Sequence, residues 1–216
     1  MKRKDVINTG DTEMSRKGKT GQSVVLDDKQ VKIVLQTITG RLDRHSHRDY
    51  LVIVLSYWCG LRSKELSSLK IGDVFDGESV VETLRLVSKY TKNNKHRDIP
   101  LTNKFVRQSI LKFVVHRQGT DGRNFDLDEP LFKSQKGGSF SSNSMVHLLK
   151  RIYTDCGFEK CSSHSGRRKF ATNLIESGVD INCVKILMGH SSIQTTSLYF
   201  HNNPERLKNV MSNMTM

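Results

Sequence analysis

The chain has 216 residues, 36% of them apolar, and a formal net charge of +13 from 35 Lys and Arg against 22 Asp and Glu. That length and apolar share suffice for one domain with a real core, and no apolar run approaches the roughly 20 residues that cross a bilayer. The charge excess sets up a long-range positive potential that favours polyanions, nucleic acid first, over an anionic membrane surface or an inert basic surface.

The start, MKRKDVINTGDTEMSRKGKTG, carries charge with no apolar stretch behind it and so lacks the pattern of a signal peptide. Cys59, Cys156, Cys161 and Cys183 form no CxxC pair. They read as reduced thiols in a cytoplasmic protein, with no disulfide and no zinc. Residues 1–22 are rich in Lys, Arg, Gly, Ser and Thr without hydrophobic periodicity and are expected to form a flexible basic arm, ahead of a single domain over 23–216.

Order is predicted from VVLDDKQVKIVLQTI: Asp27 or Asp28 caps a helix whose Val31, Val34, Leu35 and Ile38 share one face. RDYLVIVLSYWCG follows, so uniformly apolar that it belongs in the middle of a helical cluster, with Gly60 ending it. RSKELSSLKIGDV reads as a further helix. Between about 79 and 100, SVVETLRLVSKY and KHRDIPL are β-compatible runs around TKNN, a small hairpin.

Helical periodicity returns at NKFVRQSILKFVVHRQ, where Phe105, Val106, Ile110, Phe113 and Val114 fall on one side. The Gly- and Asp-rich loop after it pins Leu131 and Phe132 inside. SSNSMVHLLKRIYTDCG is the next helix. Phe170, Ala171, Leu174 and Ile175 then mark a helix closing at Gly178, and Asp180 caps another that holds Ile181, Val184, Leu187 and Met188 and closes at Gly189. The fold class is α+β: a mostly α-helical single domain with a small antiparallel hairpin or sheet.

Polar residues punctuate this last apolar frame. His164 and Arg167 stand three apart where one helix begins, and His190 sits at the junction after Gly189. Any one such histidine is more often a capping or core residue than a catalyst. Jointly, His164, Arg167, His190 and Tyr199 flank helices that must pack together, with Arg62 just after the buried helix upstream.

In this arrangement the chain resembles the catalytic domain of the tyrosine recombinases, the phage-integrase and Xer-type family, over about residues 25–210. GLRSKEL resembles the first arginine box, which implies Arg62 with Glu65 as the supporting acid. TKNNKHRDIPL resembles the hairpin that bears the catalytic lysine, Lys92, eight residues before Pro100, with Lys95 as the alternative if the turn register differs. HSGRR resembles the H-x-x-R box at His164 and Arg167. LMGHSSIQTTSLY resembles the box holding His190 and, nine residues later, the nucleophile Tyr199.

Two departures stand out. Gly166 occupies a place where many members have Leu, and Arg168-Lys169 replaces the commoner pair. Members also commonly carry a separate N-terminal helical core-binding domain, whereas here the basic stretch alone precedes the catalytic block, as in a catalytic fragment or in the short single-domain members.

The resemblance implies metal-free and nucleotide-free phosphoryl transfer on double-stranded DNA, with no cofactor. Tyr199 attacks the scissile phosphate to form a 3′-phosphotyrosine. Arg62 and Arg167 grip the non-bridging oxygens with forked, permanently charged donors. Lys92 protonates the leaving 5′-oxygen. His164 and His190 contact the phosphate or manage the tyrosine proton, and which of them is the base is left open. Arg168, Lys169, Lys95 and Arg97 are expected to contact DNA.

The segment near 204–212, with Leu207, Val210 and Met211 in one stripe, resembles the family's C-terminal exchange helix, docked in cis or in trans. The same resemblance implies a homo-tetramer on DNA, a monomer in free solution, no membrane partner, and a cytoplasmic protein held at the nucleoid by its DNA. The functional alternatives are a type IB topoisomerase-like nicking-closing enzyme and a non-catalytic DNA-binding regulator.

Overall fold

In the computed structural model, residues 24–41, 43–87, 96–200 and 212 are described. The basic arm, Lys92, Lys95, the hairpin turn and the whole C-terminal stripe lie outside them. Eight α-helices and one two-stranded antiparallel sheet make up the described fold.

Helix α1, Asp28–Gly40, starts where the sequence places it. Asp27 accepts from the Gln30 N–H while the Gln30 side chain accepts from the Asp27 N–H, a reciprocal capping box. Val31, Val34, Leu35 and Ile38 are all buried. Helix α2, Ser46–Trp58, is the centre of the molecule: every residue from Leu51 to Tyr57 is buried, and α1, α4, α5 and α6 all pack on it. Gly60 ends it at φ +60°, a left-handed turn that also lets the chain pass under Phe170, whose ring would meet a Cβ at 2.3 Å.

The single helix expected over RSKELSSLKIGDV is instead α3, Ser63–Ser68, a break at Leu69 (φ −63°, ψ 139°), and a 3-10 turn over Ile71–Asp73. The cause is tertiary. Leu69 and Ile71 are buried, and backbone groups of this segment pair with the distant loop: Leu131 N–H donates to Leu69 O, Gly72 N–H to Leu127 O and Ile71 N–H to Glu129 O. That pairing pins Leu131 and Phe132 inside, as expected.

Strands β1, Thr83–Leu86, and β2, Arg97–Pro100, pair in the register Thr83↔Pro100, Leu84↔Ile99, Arg85↔Asp98, Leu86↔Arg97. They are shorter than the runs that predicted them. The inward face carries Leu84, Leu86, Ile99 and, unexpectedly, Arg97. Helices α4, Lys104–Asp121, and α5, Ser142–Asp155, follow, capped by Asn103 and Ser141. On α4, Val106, Ile110, Phe113 and Val114 are buried while Phe105 is only partly covered.

Helices α6, Ser165–Glu176, α7, Ile181–Met188, and α8, Ile193–Phe200, complete the described chain. They enclose a second, smaller core of Ala171, Ile175, Val184 and Met188, with Phe170, Leu174, Val179 and Tyr199 partly buried around it. Asp180 caps α7 by accepting from Asn182 N–H, and Gly189 closes it in the left-handed conformation. No described helix is long and apolar enough to cross a membrane, and the four cysteines are free thiols.

Candidate active site

The C-terminal end of α7 leaves carbonyls that its own helix cannot satisfy, and these carry the negative end of the helix dipole. Three guanidiniums gather there. Arg62 Nη2 donates to Gly189 O at 2.8 Å and to Met188 O at 3.1 Å. Arg167 donates through Nη2 to the same Met188 O and through Nη1 to Gly60 O at 2.5 Å. Arg97 Nη1 donates to Leu187 O at 2.6 Å.

Three like charges this close need a counter-charge, which the fully buried Glu65 supplies. Its Oε1 accepts from Arg62 Nη1 at 2.7 Å, and its Oε2 accepts from Arg97 Nη2 at 2.6 Å and from the Arg62 backbone N–H at 2.7 Å. Glu65 is therefore a bridge between two arginines. Burial brings Arg97 down to about 10, Glu65 opposing it, while burial and then the charges of Arg62 and Arg97 bring Arg167 down to about 9. Both stay cationic at neutral pH.

Gly189 belongs to this construction. A Cβ there would lie 2.9 Å from Arg97 Cδ and 3.5 Å from Arg62 Nη1, and φ is +58°. The glycine before His190 thus serves both the left-handed turn and the space two arginines occupy.

His190 follows directly, held by its own N–H on Lys185 O and by Nδ1 against the buried Thr196 Oγ1 at 2.9 Å. Its imidazole is pushed down to about 4, by burial first and then by Arg167, Arg62 and Arg97, so it is neutral at pH 7. The rings of His190 and Tyr199 lie nearly parallel, centroids 6.2 Å apart. The guanidinium of Arg168 stands over the other aromatic partner, 5.9 Å from the Tyr199 centroid.

His164 precedes α6 without using its side chain as a cap and is exposed. Partial desolvation, then the charges of Arg167, Arg62 and Arg168, hold its imidazole below the ordinary range. Arg62, Glu65, His164, Arg167, His190 and Tyr199 are therefore brought together from four helices and the turns between them.

Two residues expected to contact DNA are placed otherwise. Arg97 is buried with both Nη groups engaged inside the cluster, and Lys169 is buried with Nζ 2.9 Å from Asp28 Oδ1, tying α6 to α1. A signal for Arg97 was present in the sequence: it shares parity with Ile99 and Leu101, which puts it on the inward face of its strand. Gly166 also has a physical account. It packs on α2, where a Cβ would meet Ser56 Oγ at 2.2 Å and Tyr57 Cδ2 at 3.1 Å.

The family model of the phage integrase family matches residues 24–206. This chain belongs to that family. Among curated phage integrase family relatives, it is 32% identical over 164 residues to the tyrosine recombinase XerD of Corynebacterium glutamicum, covering 76% of this chain and 51% of the relative. XerD of Rickettsia prowazekii is 30% identical over 193 residues, covering 87% of this chain and 62% of the relative. The chain thus spans little more than half the length of the curated relatives it matches.

Among solved structures, the XerA recombinase shares the fold at a TM-score of 0.69 and 21% identity, over 89% of this chain and 66% of that one. The XerH site-specific recombinase bound to its difH substrate, a pre-cleavage complex, aligns at 0.64 and 26% identity over 88% of this chain and 54% of that one.

Proposed function

We propose that this chain is the catalytic part of a site-specific DNA recombinase, cutting and rejoining DNA through a covalent 3′-phosphotyrosine on Tyr199. The observation that carries the reading is the convergence of Arg62, Arg167, His190 and Tyr199 on the C-terminal end of α7. Membership of the phage integrase family supports it.

In this reading Tyr199 Oη attacks the phosphorus and passes its proton to His164 or His190 as the bond to the 5′-oxygen breaks. Arg62 and Arg167 neutralise the charge that grows on the non-bridging oxygens, the kind of preorganised donation whose removal typically lowers rate by about 10²–10³. The low proton affinity of His190 keeps its imidazole neutral and able to accept as well as donate. Lys92, outside the described residues, is assigned the proton given to the leaving 5′-oxygen; a 5′-hydroxyl of another strand then attacks the ester, expels Tyr199 and seals the exchange. Neither a metal nor a nucleotide is needed in this sequence of steps, because the ester conserves the bond energy.

The same reading makes double-stranded DNA the partner, with assembly from a free monomer to a tetramer across two sites. It keeps residues 1–22 as a basic arm along the phosphate backbone and places the protein in the cytoplasm, at the nucleoid.

Covalent trapping tests it. Wild type and Tyr199→Phe are incubated with sheared genomic DNA of the source, denatured, and the DNA left on protein is sequenced. A defined, inverted-repeat-like site recovered with wild type and entirely lost with Tyr199→Phe is the expected result. DNA binding without any wild-type adduct would instead make the chain a DNA-binding regulator.

A further inference from the structure

We infer that Arg97 is a positioning residue, acting through Glu65 on the phosphate-gripping Arg62 and through its own bond to Leu187 O on the α7 terminus that carries His190; this deepens the recombinase reading and rests on it. A guanidinium on a hairpin strand of a DNA-directed protein would ordinarily be assigned to the phosphate backbone. The geometry assigns it elsewhere.

Arg97 is 4% exposed, on the inward face of β2 opposite Leu86. One Nη donates to Glu65 Oε2 at 2.6 Å and the other to Leu187 O at 2.6 Å. Its planar fork therefore holds two elements at once: the carboxylate that orients Arg62 from α3, and the last turn of α7. Glu65 passes the constraint on, because its other oxygen grips Arg62 Nη1 at 2.7 Å. Gly189 gives way to the same side chain, since any Cβ there would press on Arg97 Cδ at 2.9 Å.

The consequence is a rigid path from the sheet to the reacting phosphate. Without the charge of Arg97, Glu65 keeps only bonds to Arg62 itself, from the backbone N–H and from Nη1, so the hold from β2 on the carboxylate is lost and the Glu65–Arg62 pair can shift together. Displacing a gripping group by about 1 Å lowers rate by roughly 10²-fold. DNA affinity has no reason to change, because the group never reaches solvent.

The test uses the full chain and a nicked duplex carrying the site recovered by trapping, on which adduct formation is followed in a single turnover. Arg97→Met is expected to lower the rate constant of adduct formation by roughly 10²-fold at full final amplitude. Arg97→Lys keeps the charge but loses the fork, and falls between it and wild type. Arg97→Met should slow Glu65→Gln by less than it slows wild type, since the two residues share the path to Arg62 while the bond to Leu187 O belongs to Arg97 alone.

A purely structural role would lower the amplitude and leave the rate constant of the folded fraction intact. A role as a phosphate contact would instead weaken DNA binding and reduce its salt slope by about one. Either result, or a wild-type rate constant in Arg97→Met, overturns the inference while leaving the recombinase reading in place; absence of an adduct with wild type overturns both.

Discussion

Around α2, apolar side chains from α1, α3, α4, α5 and both strands close off one large core, whereas under α6, α7 and α8 the fully buried apolar residues, among those described, are Ala171, Ile175, Val184 and Met188. The proposed nucleophile rides on the lighter of the two: Tyr199 is itself part of the rim of the small core. Arg62, Glu65 and Arg97 belong to the heavier one. What joins the two regions at the site is polar, since Arg62, Arg97 and Arg167 all end on carbonyls of the α7 terminus. The groups proposed to grip phosphate are thus also the groups that hold the tyrosine-bearing helices to the rigid core. Charge assigned to catalysis in the proposed function also serves here as scaffold, with a helix terminus and one carboxylate absorbing the repulsion.

If that clamp is shared between architecture and chemistry, Arg167→Ala should have the largest effect. It removes a proposed transition-state donor and the link from Gly60 O to Met188 O together. A loss of about 10²–10³ in adduct-forming rate is expected in single-turnover kinetics. Wild-type kinetics would dissolve the comparison, leaving a clamp that does no chemistry.

A medium effect is expected where the two regions touch without charge. Gly166→Ala would drive a methyl against Ser56 Oγ and Tyr57 between α6 and α2, an overpacking that typically destabilises by about 1–3 kcal/mol. Chemical denaturation measures it. An unchanged midpoint would show the small module free to shift on α2.

A further effect lies in acid. His190 takes a proton in the unfolded chain near 6.5 but in the folded chain only near 4, so between those values the unfolded state binds more protons and stability falls as pH is lowered. Below about 4 both states are protonated and the loss stops. His190→Ala should flatten that part of the stability profile. An unaltered profile would place the acid sensitivity elsewhere, His164, His45 and His116 also having lowered affinities.

Much of this was legible in the chain. Asp27, Asn103, Ser141 and Asp180 each accept from a backbone N–H two or three residues ahead, and Gly60 and Gly189 turn through positive φ within one residue, so helix limits are decided by chemistry at short range. The stripe Val31, Val34, Leu35, Ile38 is equally local, as is the placing of His164 and Arg167 at the start of α6. Where the chain meets a distant part of itself, that legibility ends. The turn at Leu69 exists because Leu131 donates to its carbonyl from across the loop, against a helical pattern that reads straight through.

The cations make the same point. Arg97 and Lys169 look like two more basic residues in a chain with 35, and nothing in their immediate neighbours says that Glu65 and Asp28 will meet them. Propensity, capping and periodicity act within a turn or two, and the sequence determined those. Strand parity already turned Arg97 inward, but which carboxylate and which helix terminus a buried cation meets depends on what the fold brings to it, and the tertiary structure alone decided that.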